Sequence, residues 1–199
     1  MKRVLLTLPI LVLIAIEISA QCGVKCGVER WPVKTLTDQK LNLLKLKPIK
    51  RKSITWLITR EEPIEADKTD DARLIGIETI VFRLRGVVVG HVKEADKDFH
   101  VVIAEENDQT KTLIIEFPSS ECKSVCNSSF VAKMNKSRND YLAKVGKPTT
   151  KYKELSKRIL IEVTGVGFWD HKHGTPQHGV APNNVELHPI LSVKVIKVN

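Results

Sequence analysis

The strongest constraint on the fold is one long β-like run. From Ile77 to Lys93 the chain is dense in Val and Ile, and Gly86 and Gly90 interrupt it. Branched side chains suit a pleated sheet, and isolated glycines inside a strand mark bulges or sharp curvature. Regular structure begins near Leu74 and continues to the end. Phe99–Glu105 and Lys111–Phe117 read as two strands joined by a turn at Asn107-Asp108-Gln109, a hairpin. Ser128–Val145 carries Phe130, Met134, Tyr141 and Val145 at helical spacing. Ser128 or Ser129 can cap it, and Gly146-Lys147-Pro148 ends it. Tyr152–Ser156 reads as a further turn of helix. Lys157–Phe168 is a fourth strand and Val185–Val198 a fifth, with Pro189 pointing to an edge or bend near its start.

The order is three strands, a helix, then two strands. That is the order of an OB-fold, a small barrel whose closure hides its strand edges. The fold class expected is therefore mainly β with one or two helices, an OB-like five-stranded barrel (β-β-β-α-β-β) with an N-terminal extension. An α+β sandwich is the alternative. The expected organisation is 1–20 as a signal peptide, 21–73 as an extension of short helices and a loop, and 74–199 as the barrel. Within the extension, short helices are expected around Asp38–Leu44 and Ser53–Arg60, and the acidic stretch Pro63–Asp71 reads as a loop.

The first twenty residues have the three-part layout of an export signal. Lys2 and Arg3 are positive, Val4–Ile16 is apolar, and Ile18-Ser19-Ala20 offers a small residue for cleavage. Cleavage after Ala20 leaves 179 residues with a net charge of about +8. The expected location is secreted or periplasmic, with no membrane span after the signal is removed. The positive charge suits a solvated basic surface, a polyanion or an anionic membrane. Lys133–Lys157 reads mainly as a wet basic face, with nucleic acid as the weaker alternative. A monomer is expected.

Export also decides how the cysteines read. Cys22, Cys26, Cys122 and Cys126 form two distant Cys-x3-Cys clusters. In an oxidising compartment an even count implies disulfides. Four cysteines allow three pairings. Bonds between the two clusters are favoured, because closing a long loop gains most. A four-thiolate zinc site is the alternative that the spacing permits.

The candidate chemistry lies in two loops that would border the ligand face of an OB-fold. In the first, Asp96, Asp98 and His100 are spaced by two, which puts them on one side of an extended segment. The second runs from Trp169 and Asp170 through His171, His173, His178 and Asn183, and continues to Glu186 and His188. Five of the six histidines lie in or beside these loops. Carboxylate with imidazole is a metal-ligand combination, so Asp96, Asp98, His100, His171, His173 and His188 form the candidate metal set. Trp169, Asp170, His178, Asn183 and Glu186 are candidate ligand-binding positions. The competing account is an ordered loop whose imidazoles bond to backbone. The chain has no Walker sequence and no nucleophile elbow.

These features favour an exported, non-enzymatic binding module for a polyanion, a glycan or a protein. Its cofactor would be a divalent metal if it has one. A metal-dependent hydrolase or phosphodiesterase using Asp98, His100, His173 and His188 is one alternative. A structural cell-envelope protein is the other.

Several segments together resemble a family of uncharacterised secreted bacterial proteins. They are Cys26-Gly27-Val28-Glu29-Arg30-Trp31-Pro32-Val33-Lys34-Thr35-Leu36-Thr37-Asp38, Glu94–His100, Val163–Asp170 with His173-Gly174, Gly179–Asn183, and Glu186-Leu187-His188-Pro189. The resemblance implies a secreted, OB-like domain and assigns no catalytic residue. It also implies that Cys26 and Cys122 are the usual pair, and hence Cys26–Cys122 and Cys22–Cys126 bonds.

Overall fold

The computed structural model describes residues 23–27, 29–47, 51–64, 71–172 and 178–199. The expected signal peptide, Cys22 and His173 lie outside these residues. The chain is mainly β. Five strands, β1 (Val81–Lys93), β2 (Phe99–Glu105), β3 (Asp108–Phe117), β4 (Lys153–Trp169) and β5 (Val185–Val198), form one mixed sheet. The sheet closes in a ring in the order β1-β2-β3-β5-β4. All neighbours are antiparallel except β3 and β5, which pair in parallel over Ile114–Glu186 and Ile115–Leu187. A single closed sheet forms instead of the two layers of a sandwich.

Among the described residues four helices accompany it: α1 (Trp31–Lys34), α2 (Ile54–Ile58), α3 (Lys123–Asn127) and α4 (Val131–Lys144). Ser53 caps α2 by accepting from the Trp56 N–H, as Ser and Thr do at helix starts. The helix expected over Ser128–Val145 starts later. Ser128 Oγ accepts from the Phe130 N–H and donates to the Leu36 carbonyl, which holds residue 128 outside the helix. Around Asp38–Leu44 only a 3-10 turn forms, Leu41–Leu43.

Three strand starts also differ from expectation; β3 begins at Asp108 and not at Lys111, so the turn is shorter than residues 107–109. The run from Ile77 begins with a 3-10 turn, Ile77–Thr79, and β1 starts at Val81. Glu78 explains this: its carboxylate is turned inward to receive Arg30 and the Leu74 and Trp169 N–H groups. Tyr152–Ser156 is not helical. β4 already begins at Lys153, because the curved end of β1 supplies partners there, Gly90 for Glu154 and His91 for Lys153. The register slips between Val88 and Gly90, the bulge that the glycine announced. A side chain at Gly90 would collide with the Tyr152 hydroxyl.

Alternation along the strands sorts side chains to two faces. Phe99, Val101, Ile103, Leu113, Ile115, Phe117, Val185 and Leu187 fill the interior of the ring. The intervening residues, among them His100, Glu116, Glu186 and His188, face outward, yet all four are buried. The N-terminal extension contributes to covering them. It runs over the outer surface and supplies Trp31, Leu36 and Leu44 to a second apolar cluster with Val81, Val166, Cys122, Val125 and Met134. Arg30 fixes this segment through a bidentate pair with Glu78, both contacts 2.7 Å, and Arg73 pairs with Asp38 at 2.6 Å. The Cys26–Cys122 disulfide ties it to the sheet, beside a parallel bridge between Val24 and Cys122. Cys126 is disulfide-bonded as well. Among the described residues no helix is long and apolar enough to cross a membrane.

Candidate functional site

The site is built on the outer face of β2, β3 and β5. The turn between β1 and β2 delivers the first two groups. Asp96 Oδ1 accepts from the Asp98 N–H, which shapes the turn, and Lys97 takes a left-handed conformation with φ 75°. Asp98 follows and is fully buried, with Oδ1 accepting from the Ser119 N–H at 3.1 Å. Two residues on, His100 shares its face. Directly across the ladder from His100 stands Glu116, and β5 brings Glu186 and His188 alongside.

The resulting cluster is dense in charge. His188 Nε2 lies 3.4 Å from Asp98 Oδ2. His188 Nδ1 lies 3.2 Å from Glu186 Oε1 and 3.4 Å from Glu116 Oε2. Glu116 also reaches His100 Nδ1 at 3.2 Å, and His100 Nε2 donates to the His178 carbonyl at 3.3 Å. Trp31 and Phe168 meet the His188 ring edge-on, at 6.3 Å and 5.9 Å between centroids.

Burial and pairing pull these groups in opposite directions. Burial alone would lower both imidazoles. The bond to Glu116 overcomes it at His100, which is raised to about 9, and Asp98 and Glu186 overcome it at His188, raised to about 10. Burial pushes Asp98 up to about 6 and raises Asp96. Glu116 and Glu186 are pushed apart. Burial would raise both, but His100 and His188 hold Glu116 low, whereas burial with Asp170 and Glu116 keeps Glu186 high. Lys34 of α1 is half-buried, which alone would lower it, but Asp170, Glu186 and Glu116 raise it; it pairs with Asp170 at 3.0 Å.

A pocket of about 440 Å³ opens above this cluster. Its walls include Glu29, Trp31, Lys34, Glu94, Asp96, His100, Glu116 and Asp170, with the Val24–Gly27 strap on one side. A second cleft, about 700 Å³, also borders the strap, but no cluster of titratable groups converges on it. Convergent polar groups with perturbed acidity favour the first as the binding site.

Not every expected site residue takes part. Asp98, His100, Glu186 and His188 converge, and Asp96 and Asp170 line the pocket. His171 instead lines a separate narrow cleft with Ile114 and Val180. His178 stacks on Tyr152 at 3.9 Å and contributes only its carbonyl to His100. Trp169 is core, its N–H donating to Glu78. Asn183 is a brace, donating to the Leu57 and Arg60 carbonyls and so holding α2. Of these four only Asn183 satisfies backbone carbonyls with its side chain; His171 Nε2 is buried without a hydrogen-bond partner, and the His178 ring is spent on its stack with Tyr152. Glu116 and Lys34 are site residues that the loops did not contain. The signal for Glu116 was an acid set into an apolar strand, Leu113-Ile114-Ile115-Glu116-Phe117.

Four features thus define the site: a closed sheet's outer face, a buried His–carboxylate cluster, an acidic pocket above it, and a disulfide-tied strap at the rim. No known protein family, curated protein or solved structure matches the chain.

Proposed function

We propose that the protein is an exported, OB-like binding module that takes a small cationic ligand in the pocket between the strap and the β1–β2 turn. The observation that carries this reading is the pocket's lining. Carboxylates of Glu29, Glu94, Asp96, Glu116 and Asp170 line one cavity, against Lys25, Lys34, Lys97 and a His100 that is held protonated by Glu116. Lys34 is already engaged with Asp170, and Lys97 with Glu121 at 2.6 Å. Lys34, Lys97 and His100 are each paired with a carboxylate, so the β1–β2 turn acids Glu94 and Asp96 favour a cation over a phosphate backbone at the pocket rim.

The OB reading is supported by strand order. The ring order β1-β2-β3-β5-β4, with a parallel β3–β5 contact and α4 between β3 and β4, follows the five-stranded plan. The pocket also falls where such folds take ligands, on the strand 2–3 face beside the β1–β2 loop. Export is supported by the N-terminal signal pattern and by the disulfides.

The test is a thermal-shift and NMR titration of the exported, oxidised protein with polyamines, basic peptides, amino sugars and heparin. Cationic ligands are expected to perturb Glu94, Asp96 and Lys34 resonances, and the double substitution Glu94→Gln with Asp96→Asn to weaken them. Binding of heparin alone, or cation binding unaffected by that double variant, would overturn the reading.

A further inference from the structure

We propose that Asp98, Glu116 and His188 hold a divalent transition-metal ion beneath the pocket, with zinc the best match. The inference rests on the cationic-ligand reading and names the ligand's class at the pocket floor.

Three observations carry it. Asp98, Glu116 and His188 each offer one ligand atom, all within 4.8 Å of one another, and all three residues are buried. Asp98 Oδ2 and His188 Nε2 are fully buried and have no hydrogen-bond partner, although they face each other at 3.4 Å. Buried polar atoms are nearly always satisfied, and an oxygen and a nitrogen that face each other without a well-formed hydrogen bond are placed to share an ion between them. The spacing suits one: two donors each about 2.0–2.2 Å from a tetrahedral ion stand roughly 3.3–3.6 Å apart.

The surrounding residues orient the donors as a metal site requires. Asp98 spends Oδ1 on the Ser119 N–H, which leaves Oδ2 directed at His188. His188 presents Nδ1 to Glu186 Oε1 at 3.2 Å, which fixes the ring and leaves Nε2 as the ligand atom. A carboxylate behind a ligating imidazole is the usual outer-shell arrangement. His100 is not a ligand, since both its nitrogens are engaged, with Glu116 and with the His178 carbonyl; it steadies Glu116. Glu116 lines the pocket as well, so the ion would reach its site from there and keep one position facing the cavity. One imidazole with two carboxylates is a borderline set, suited to zinc or manganese more than to calcium or magnesium.

The experiment uses the exported, disulfide-intact protein, stripped with chelator. Zn²⁺ is titrated by calorimetry, bound metal is counted by mass spectrometry, and Co²⁺ absorption reports the ligand field. One zinc per chain is expected, with a rise in Tm and much weaker Ca²⁺ binding. Asp98→Asn and His188→Gln should abolish stoichiometric zinc. Glu186→Gln should weaken it about 10–100-fold while the protein stays folded. His171→Gln should leave it unchanged. If the parent protein binds no zinc or manganese, or if Glu186→Gln and His188→Gln bind zinc like the parent, the proposal fails. Spermidine binding that survives His188→Gln but is lost with Glu94→Gln and Asp96→Asn would separate failure of the metal site from failure of the pocket.

Discussion

His91 shows how one buried imidazole ties stability to pH. It is buried beside Tyr141, whose hydroxyl lies 2.7 Å from Nδ1, and Lys153 pairs with it across the ladder. Burial lowers its pKa from 6.5, and the Lys153 charge lowers it further. The neutral ring then accepts from Tyr141. The unfolded chain takes up a proton below about 6.5, and the folded chain does not follow until lower pH. The contribution is therefore complete above 6.5 and lost as pH falls below it. Urea denaturation at pH 7.5 and 5.5 should show the parent losing more stability than His91→Gln over that interval. Equal losses would show that His91 is protonated when folded. Arg30 allows a second test. It and Glu78 are almost wholly buried, so Arg30→Met strands a buried carboxylate and should cost about 3–5 kcal/mol by denaturant unfolding.

Among the elements, the extension behaves as part of the core. Ile54 and Leu57 of α2 are fully buried within the ring's main apolar cluster, and Trp31, Leu36 and Leu44 complete the second. Leu57→Ala should cost about 2–5 kcal/mol, the range for a buried leucine whose site cannot collapse. The strap depends on its disulfide. Cys26 and Cys122 are 96 residues apart in sequence, and reducing the disulfides should cost about 5 kcal/mol on the loop-entropy argument. Amide exchange should then speed up at Val24 and Lys123, which are bonded across that bridge.

The elements were more legible in the sequence than the site. Strand periodicity is local, so β2 and β5 end where alternation says they should. The β1 bulge was legible because glycine at Gly90 has a steric cause. Asp98, His100, Glu186 and His188 stood out because imidazole and carboxylate clustered in short segments. Glu116 did not, and the reason is register. The hairpin pairs Glu105 with Asp108 next to its turn but Ala104 with Thr112 one residue further on. That slip is what places Glu116 opposite His100, and nothing in residues 105–112 announces it. Lys34 was hidden for a different reason: it is distant in sequence from every group it serves, and long-range ties such as the Arg30–Glu78 pair and the Cys26–Cys122 disulfide bring α1 to the cluster.

At the scale of the whole molecule, the extension and the sheet share both apolar clusters. The outward-facing His188 and Glu116 are polar groups buried on a surface that an isolated sheet would leave open to water. Trp31 and Lys34 are what close it, and Ile54, Leu57 and Ile58 fill one end of the ring's interior cluster. A fragment of residues 74–199 would thus lose both coverings at once, one apolar and one electrostatic. We expect that fragment to lack a cooperative unfolding transition and a dispersed amide spectrum, whereas residues 21–199 with intact disulfides show both. The same experiment bears on the pocket, since its strap, Trp31 and Lys34 all come from the extension. If residues 74–199 fold cooperatively, the extension is a removable cover, and the buried cluster would have to be stable when exposed to solvent.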